Sequence, residues 1–290
     1  MLINSPVDKV TFQNHNFYIK RDDLLAKDFS GNKARKFHYF LKNNFPNIDT
    51  VVSYGSNQSN AMYSLSVLAK LKNWKFKYFA SHLPSYLKEN PNGNYKYAIN
   101  NNMQLIVDEN FTYTTYQAKP NELFIQEGGA ISEASFGIKI LADEINTWKI
   151  ENNIKNLKIF LPSGTGTTAL FLQKFTDDEV LTCPCVGDSN YLLKQFQELE
   201  PQLTFYPTIL KTTKKYHFGK LYLENFEIWK KLKNEINIEF DLLYDPIGWN
   251  TLLKYFDKFS DYEILYIHQG GLLGNTTMLQ RYVRKYEPIK

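Results

Sequence analysis

Five times between residues 50 and 175 a short β-branched or apolar run breaks at a polar or glycine-rich loop and gives way to a new segment. The run Thr50-Val51-Val52-Ser53-Tyr54 stops at Gly55-Ser56-Asn57-Gln58-Ser59-Asn60, and the spacing of Leu65, Leu68 and Ala69 predicts a helix over 61–71. A strand over 76–80 precedes a segment from Pro84, and one over 104–107 precedes a segment through Tyr113. The strand at 123–125 runs into Glu127-Gly128-Gly129 and a helix marked by Ala134, Ile138, Leu141 and Ile145. The fifth, over 157–161, ends at Pro162-Ser163-Gly164-Thr165-Gly166-Thr167-Thr168 before a helix at 169–175. Strands alternating with helices imply open, twisted, mostly parallel sheets with helices on both faces, an α/β fold. Ligand sites in such sheets lie at the loops after the strands' carboxyl ends, where the unusual residues of this chain gather.

The chain has 290 residues, enough for two lobes or one large α/β domain. Hydrophobic residues at 43% and aromatics at 16% predict a folded globule. The formal charge of +4 is spread among interleaved acids and bases, which gives no reason to expect a nucleic-acid partner. Met1-Leu2-Ile3-Asn4-Ser5-Pro6 has no cationic stretch followed by an apolar one, and no run is long enough to span a membrane, so a cytoplasmic location is expected. Cys183 and Cys185 lie two apart, on one face of a strand, and are expected as buried thiols; two cannot complete a structural zinc site. There is no internal repeat, Pro-rich linker or low-complexity tract.

The chemistry centres on Lys33. Lys20-Arg21-Asp22-Asp23 leads through a short loop to Ser30-Gly31-Asn32-Lys33-Ala34-Arg35-Lys36, and Ala34, Phe37, Phe40 and Leu41 mark the apolar face of a helix. Gly31 permits a tight entry, Asn32 is a candidate cap, and Lys33 sits on the first turn at the positive dipole end. That position disfavours the charged amine, which is what a Schiff-base lysine needs; from local sequence alone a solvated surface lysine at a helix start is the commoner case. Residues 164–168, between a strand and a helix N-terminus, read either as a phosphate cradle or as a structural turn, and lack the Gly-Lys-Ser/Thr ending of a Walker loop. Ser56, Asn57 and Gln58 read as a carboxylate-binding loop or as an ordinary helix cap. A strand at 264–267 runs into His268-Gln269-Gly270-Gly271, while the aromatic, lysine-rich stretch 211–222 has no clear place.

Taken in order, the motifs Lys20-Arg21-Asp22-Asp23-Leu24, Gly31-Asn32-Lys33-Ala34-Arg35-Lys36, Ser56-Asn57-Gln58, Glu127-Gly128-Gly129, 164–168 and His268-Gln269-Gly270-Gly271 span the chain. Together they resemble the pyridoxal-phosphate enzymes that include 1-aminocyclopropane-1-carboxylate deaminase and D-cysteine desulfhydrase, with the tryptophan synthase β-like fold. The resemblance implies two lobes, a smaller one over 37–133 inserted between 1–36 and 134–290 of a larger one, with pyridoxal 5'-phosphate in the cleft between them. It implies Lys33 as the Schiff-base lysine and mover of the Cα proton. Gly164, Thr165, Gly166, Thr167 and Thr168 would hold the phosphate, Asn57 the phenolic oxygen, and Gln269 the ring nitrogen. Ser56, Asn57 and Gln58 would take the carboxylate of a small amino-acid substrate, with the Ser56 hydroxyl assisting proton transfer. A homodimer is also implied.

Departures bear on the chemistry. Where these relatives carry a tyrosine after Asp-Pro, this chain has Gly248 and Trp249; Gln269 replaces a threonine and Thr167 a glycine; and 211–222 lacks a Gly-Tyr-Gly pattern. Glutamine beside the ring nitrogen cannot protonate it as a carboxylate would, so β-elimination to a keto acid and ammonia fits best. Opening of aminocyclopropane-carboxylate is the alternative within that family. Two readings from other classes are a protein that holds the cofactor without turnover, and a nucleotide-binding module in which Lys33 is ordinary surface.

Overall fold

A computed structural model describes residues 4–287, so Met1 to Ile3 of the N-terminal stretch lie outside the described residues. In chain order, strands β1 (Val7–Phe12) and β2 (His15–Arg21) precede helix α1 (Gly31–Lys42), and β3 (Thr50–Tyr54) precedes α2 (Asn60–Lys72). Next come β4 (Lys75–Ala80), α3 (Ser85–Glu89), α4 (Gly93–Asn100), β5 (Met103–Val107), β6 (Glu122–Phe124) and α5 (Ala134–Glu151). After them lie β7 (Leu157–Ser163), α6 (Thr167–Phe175), β8 (Glu179–Pro184), α7 (Ser189–Leu199), β9 (Thr208–Ile209) and α8 (Leu223–Ile236). The chain closes with α9 (Asp245–Tyr255), β10 (Glu263–His268) and α10 (Asn275–Tyr286). Among the described residues, no helix is long and apolar enough to cross a membrane.

The strands form two sheets. The larger runs β1-β2-β10-β7-β8-β9, with only the β1–β2 pair antiparallel, and the smaller runs β5-β4-β3-β6, all parallel. β7 is buried at every position from Leu157 to Ser163, as a strand covered on both faces must be. One of its faces packs Ile159 and Leu161 against Ile138, Leu141 and Ile145 of α5 and Ala169 and Leu172 of α6. The other packs Phe160 with Trp229, Leu252 and Tyr282 of α8, α9 and α10.

The smaller sheet has helices on one face only, where Val51, Phe76 and Tyr78 meet Ala34, Phe37, Leu65 and Leu68. Its other face is covered by residues 108–121, and here the expected strand–loop–helix unit gives way to an irregular segment. Phe111 stacks on Phe79 at 4.2 Å, Tyr113 on Tyr54 at 5.2 Å and Tyr116 on Phe124 at 5.2 Å. Three rings spaced two or three residues apart cannot all face one sheet from a helix, and Thr112, Thr114 and Thr115 between them favour extended backbone.

α1 links the two sheets. Its apolar residues belong to the smaller sheet's core, while Arg35 is bound to Asp22 and to Glu144 of α5. One residue on its buried face is poorly served: His38 is 4% exposed and neither ring nitrogen has a hydrogen-bond partner. Burial lowers this imidazole from 6.5 to about 4. The unfolded chain therefore takes up a proton at higher pH than the folded protein does. Stability is whole above 6.5 and declines as pH falls through the window down to about 4. His38→Leu should flatten the thermal midpoint against pH across that window, and an unchanged slope would show that His38 is not its source.

Candidate active site

The carboxyl ends of β3, β6, β7, β8 and β10 surround a cavity of about 480 Å³, in the range of small-molecule sites. α1 delivers Lys33 into it. Ser30, extended and without a side-chain cap bond, precedes the helix, and Gly31 takes a φ of +66°. A Cβ there would stand 2.0 Å from the Gln269 carbonyl oxygen, so glycine is required for α1 to begin this close to the end of β10. Asn32, expected as a cap, lies inside the first turn: its backbone N–H donates to the Gln269 carbonyl at 2.9 Å and its Nδ2 to Gln269 Oε1 at 2.9 Å. Lys33 Nζ reaches Asn32 Oδ1 at 3.2 Å. Burial lowers its amine to about 8, against a weaker upward pull from Asp241.

Lys36, one turn on, points to the same cavity. It is 2% exposed, and its Nζ donates to the Gly128 carbonyl at 2.9 Å and reaches Thr165 Oγ1 at 3.4 Å. Burial, with the Lys33 charge second, holds its amine well below the ordinary lysine value. All five residues of 164–168 line the cavity, with Thr167 and Thr168 already in the first turn of α6. Gly166 turns the chain at φ +74°, where a Cβ would lie 2.4 Å from the Phe196 ring. Thr168 Oγ1 is buried and has no hydrogen-bond partner. A helix N-terminus, a hydroxyl lacking a partner and a buried ammonium converge, which is the donor set a phosphate requires. A doubly charged anion there would also restore the Lys36 charge.

The other expected residues divide. Ser56 and Gln58 line the cavity; Gln58 Nε2 donates to the Asn92 carbonyl at 3.2 Å, and Ser59, not the tripeptide, caps α2 through Oγ. Asn57 lies outside the cavity wall, its Nδ2 donating to the His82 carbonyl at 3.1 Å. Gln269 lines the cavity with its amide tied at both ends, Nε2 donating to the Pro162 carbonyl at 2.6 Å and Oε1 accepting from Asn32.

Gly248 and Trp249 are a correction. Both sit in α9 beneath the larger sheet, where Trp249 is fully buried and stacks on Tyr266 at 4.5 Å, and neither borders the cavity. A tyrosine reaches the cavity all the same, from just before Asp245-Pro246. Tyr244 lines the wall, its ring lying against Gly164 and 5.3 Å from Phe218. Phe218 and Gly219 give the unplaced stretch 211–222 its role as part of the same wall.

Lys36, Asp241, Tyr191 and Arg281 also line the cavity, none of them expected from the sequence. Lys36 was open to inference, three residues after Lys33 on a helix and so on the same face. Nothing local marks the others, which come from separate turns and helices.

The architecture defines the chain as a two-sheet α/β protein with its site at the carboxyl ends of both sheets. Its fold is that of an ACC deaminase homologue, to which it is 22% identical with a TM-score of 0.78, over 97% of this chain and 94% of that one. It is also similar to threonine deaminase isoform 2 from Solanum lycopersicum, at 13% identity and a TM-score of 0.66 over 99% and 84% of the two chains. A hydrogen sulfide-producing enzyme from Fusobacterium nucleatum matches at 12% identity and a TM-score of 0.64, over 93% and 95%. No protein-family model and no curated protein matches the sequence.

Proposed function

We propose that this protein is a pyridoxal-phosphate-dependent lyase or deaminase of a small amino acid, working by β-elimination to a keto acid and ammonia. The observation that carries this reading is one cavity holding an amine lowered to about 8 at Lys33 together with a phosphate-type donor set at Lys36, Thr168 and the start of α6. Solved structures of the same fold, a threonine deaminase and a hydrogen sulfide-producing enzyme, support it.

Bound pyridoxal phosphate supplies an aldehyde carbon for amines and a ring that draws electrons from the substrate's Cα. The protein does the rest. Backbone N–H groups of 165–168, the Thr168 hydroxyl and Lys36 would hold the phosphate. Lys33 Nζ, in its neutral form, would hold the aldehyde carbon and would be the base that moves the Cα proton. Ser56 and Gln58, at the approach to α2, orient the substrate carboxylate. Tyr244, in the cavity wall against Gly164, keeps its phenol protonated because burial raises it, and would be available to donate to a substrate held there.

Tyr244 also favours a second substrate reading. Opening the ring of aminocyclopropane-carboxylate needs an acid near the ring carbons, and this phenol is one. The same residue weighs against a protein that holds the cofactor without turnover. Purified protein mixed with pyridoxal phosphate should develop a yellow band that borohydride fixes to the Lys33 peptide. Given D-cysteine, L-serine or aminocyclopropane-carboxylate, it should then release a keto acid. No band would sink the cofactor reading, and a band without keto acid from any amino acid tested would leave cofactor binding alone.

A further inference from the structure

Asp241 lies in the turn that opens α9 and is 5% exposed. Its Oδ1 accepts the backbone N–H groups of Leu243 at 2.5 Å and Tyr244 at 2.7 Å. From the other side, Asn275 Oδ1 holds the N–H of Leu242 at 2.8 Å. The Asp245 backbone N–H also bears on this carboxylate, and Asp241 borders the cavity. A carboxylate held through Oδ1 thus shares the wall of one cavity with Lys33.

We propose that Asp241 is the counter-charge of Lys33, a positioning residue whose carboxylate stabilises the ammonium formed when Lys33 Nζ takes a proton from the substrate. This rests on the reading of Lys33 as the base. In that step the Cα–H bond breaks, an N–H bond forms at Nζ, and the electron pair stays with the substrate. The new positive charge needs a partner, because Lys36, the other cation near Lys33, repels it.

The electrostatics agree with the geometry. Asp241 pulls the Lys33 amine up against the larger effect of burial, and burial raises Asp241 to about 6 against the downward pull of the Tyr244 and Leu243 N–H groups and of Lys33. The titratable groups around Asp241 are Asp245, Tyr244, Tyr266 and Cys185. Asp245 is no rival counter-charge: its oxygens are taken by Tyr266 Oη at 2.7 Å and the Asp241 N–H at 3.1 Å, and burial, with Asp241 second, drives it toward the neutral form. Glu127 also borders the cavity, but Asp241 is the carboxylate whose charge acts on Lys33.

The test uses the full chain without added cofactor and tracks labelling of Lys33 by trinitrobenzenesulfonate against pH, quantified on the Lys33 peptide. Asp241→Asn keeps an oxygen to accept the Leu243 and Tyr244 N–H groups and removes only the charge. Lys33 in that variant should titrate about one pH unit lower, labelling up to roughly tenfold faster on the acid side of its midpoint. Asp241→Glu should return the curve toward that of the parent. An unshifted curve in a folded Asp241→Asn protein overturns the proposal. Should that variant not fold, the parent protein still decides: the 13C shift of methylated Lys33 should show a second, smaller inflection near about 6, and a single inflection overturns the pairing. Failure to bind pyridoxal phosphate, which would sink the proposed function, leaves both titrations readable, so the two failures are distinguishable.

Discussion

Lys33→Ala is expected to abolish the borohydride-stable attachment of pyridoxal phosphate and to lower keto acid release by about 10³-fold or more. The size comes from the two jobs assigned to one nitrogen, binding the aldehyde carbon and moving the Cα proton, neither of which a methyl group can do. The fold should survive. Lys33 faces the cavity on the first turn of α1 and its Nζ makes one hydrogen bond, to Asn32, so the thermal midpoint should stay near that of the parent. Cofactor still held without covalent attachment, through 164–168 and Lys36, would separate the two halves of the site. An alanine variant that still forms the fixed adduct, or keeps more than a tenth of the parent rate, would show that Lys33 is not the reactive amine.

Arg35→Met is expected to cost about 3–5 kcal/mol of folding stability, because it strips the cation from a buried ion cluster and leaves its carboxylates uncompensated. Arg35 is 1% exposed; Nε and Nη2 donate to the two oxygens of Asp22 at 3.0 and 2.8 Å, and Nη1 and Nη2 to those of Glu144 at 2.8 and 2.6 Å. Lys20, also 1% exposed, joins through Glu144 at 2.8 Å, and the Ser5 hydroxyl donates to Asp22 at 2.6 Å. Two cations and two anions balance, so removing one unbalances the whole. Burial lowers the Lys20 amine, which makes that lysine a poor substitute for the missing guanidinium. Urea unfolding measures the loss. A change below about 1 kcal/mol would mean that water or rearrangement satisfies the acids and that the cluster is not a strong anchor. Because α1 carries both Lys33 and Arg35, a loosened cluster should also reduce turnover in the folded fraction, with Lys33 intact.

Much of the framework could be read along the chain. Thr50–Tyr54 and Leu157–Ser163 are short apolar runs bounded by glycine and polar turns, and each became a parallel strand with its loop on the cavity. Residues 108–121 could not be read this way, because what holds them is stacking of Phe111, Tyr113 and Tyr116 on side chains distant in sequence. The expectation at Gly248 and Trp249 failed for a related reason. The Asp-Pro pair at 245–246 drew attention to the residues on its C-terminal side, whereas the turn closed by Asp241 aims the preceding Tyr244 at Gly164.

The sequence alone determined the alternation of strands and helices and the loops at the strand ends, because hydrophobic periodicity and turn residues act over a few neighbours, while Lys33 stood out only through its resemblance to a known motif. The tertiary structure decided which of those loops share a cavity. It put Lys36 beside Thr165, turned Asn57 away toward His82, tied Gln269 between Pro162 and Asn32, and set Asp241 and Tyr244 in the wall. Desolvation and charge at Lys33 depend on distances between residues far apart in the chain, such as Lys33 and Asp241, and only the packed chain determines them.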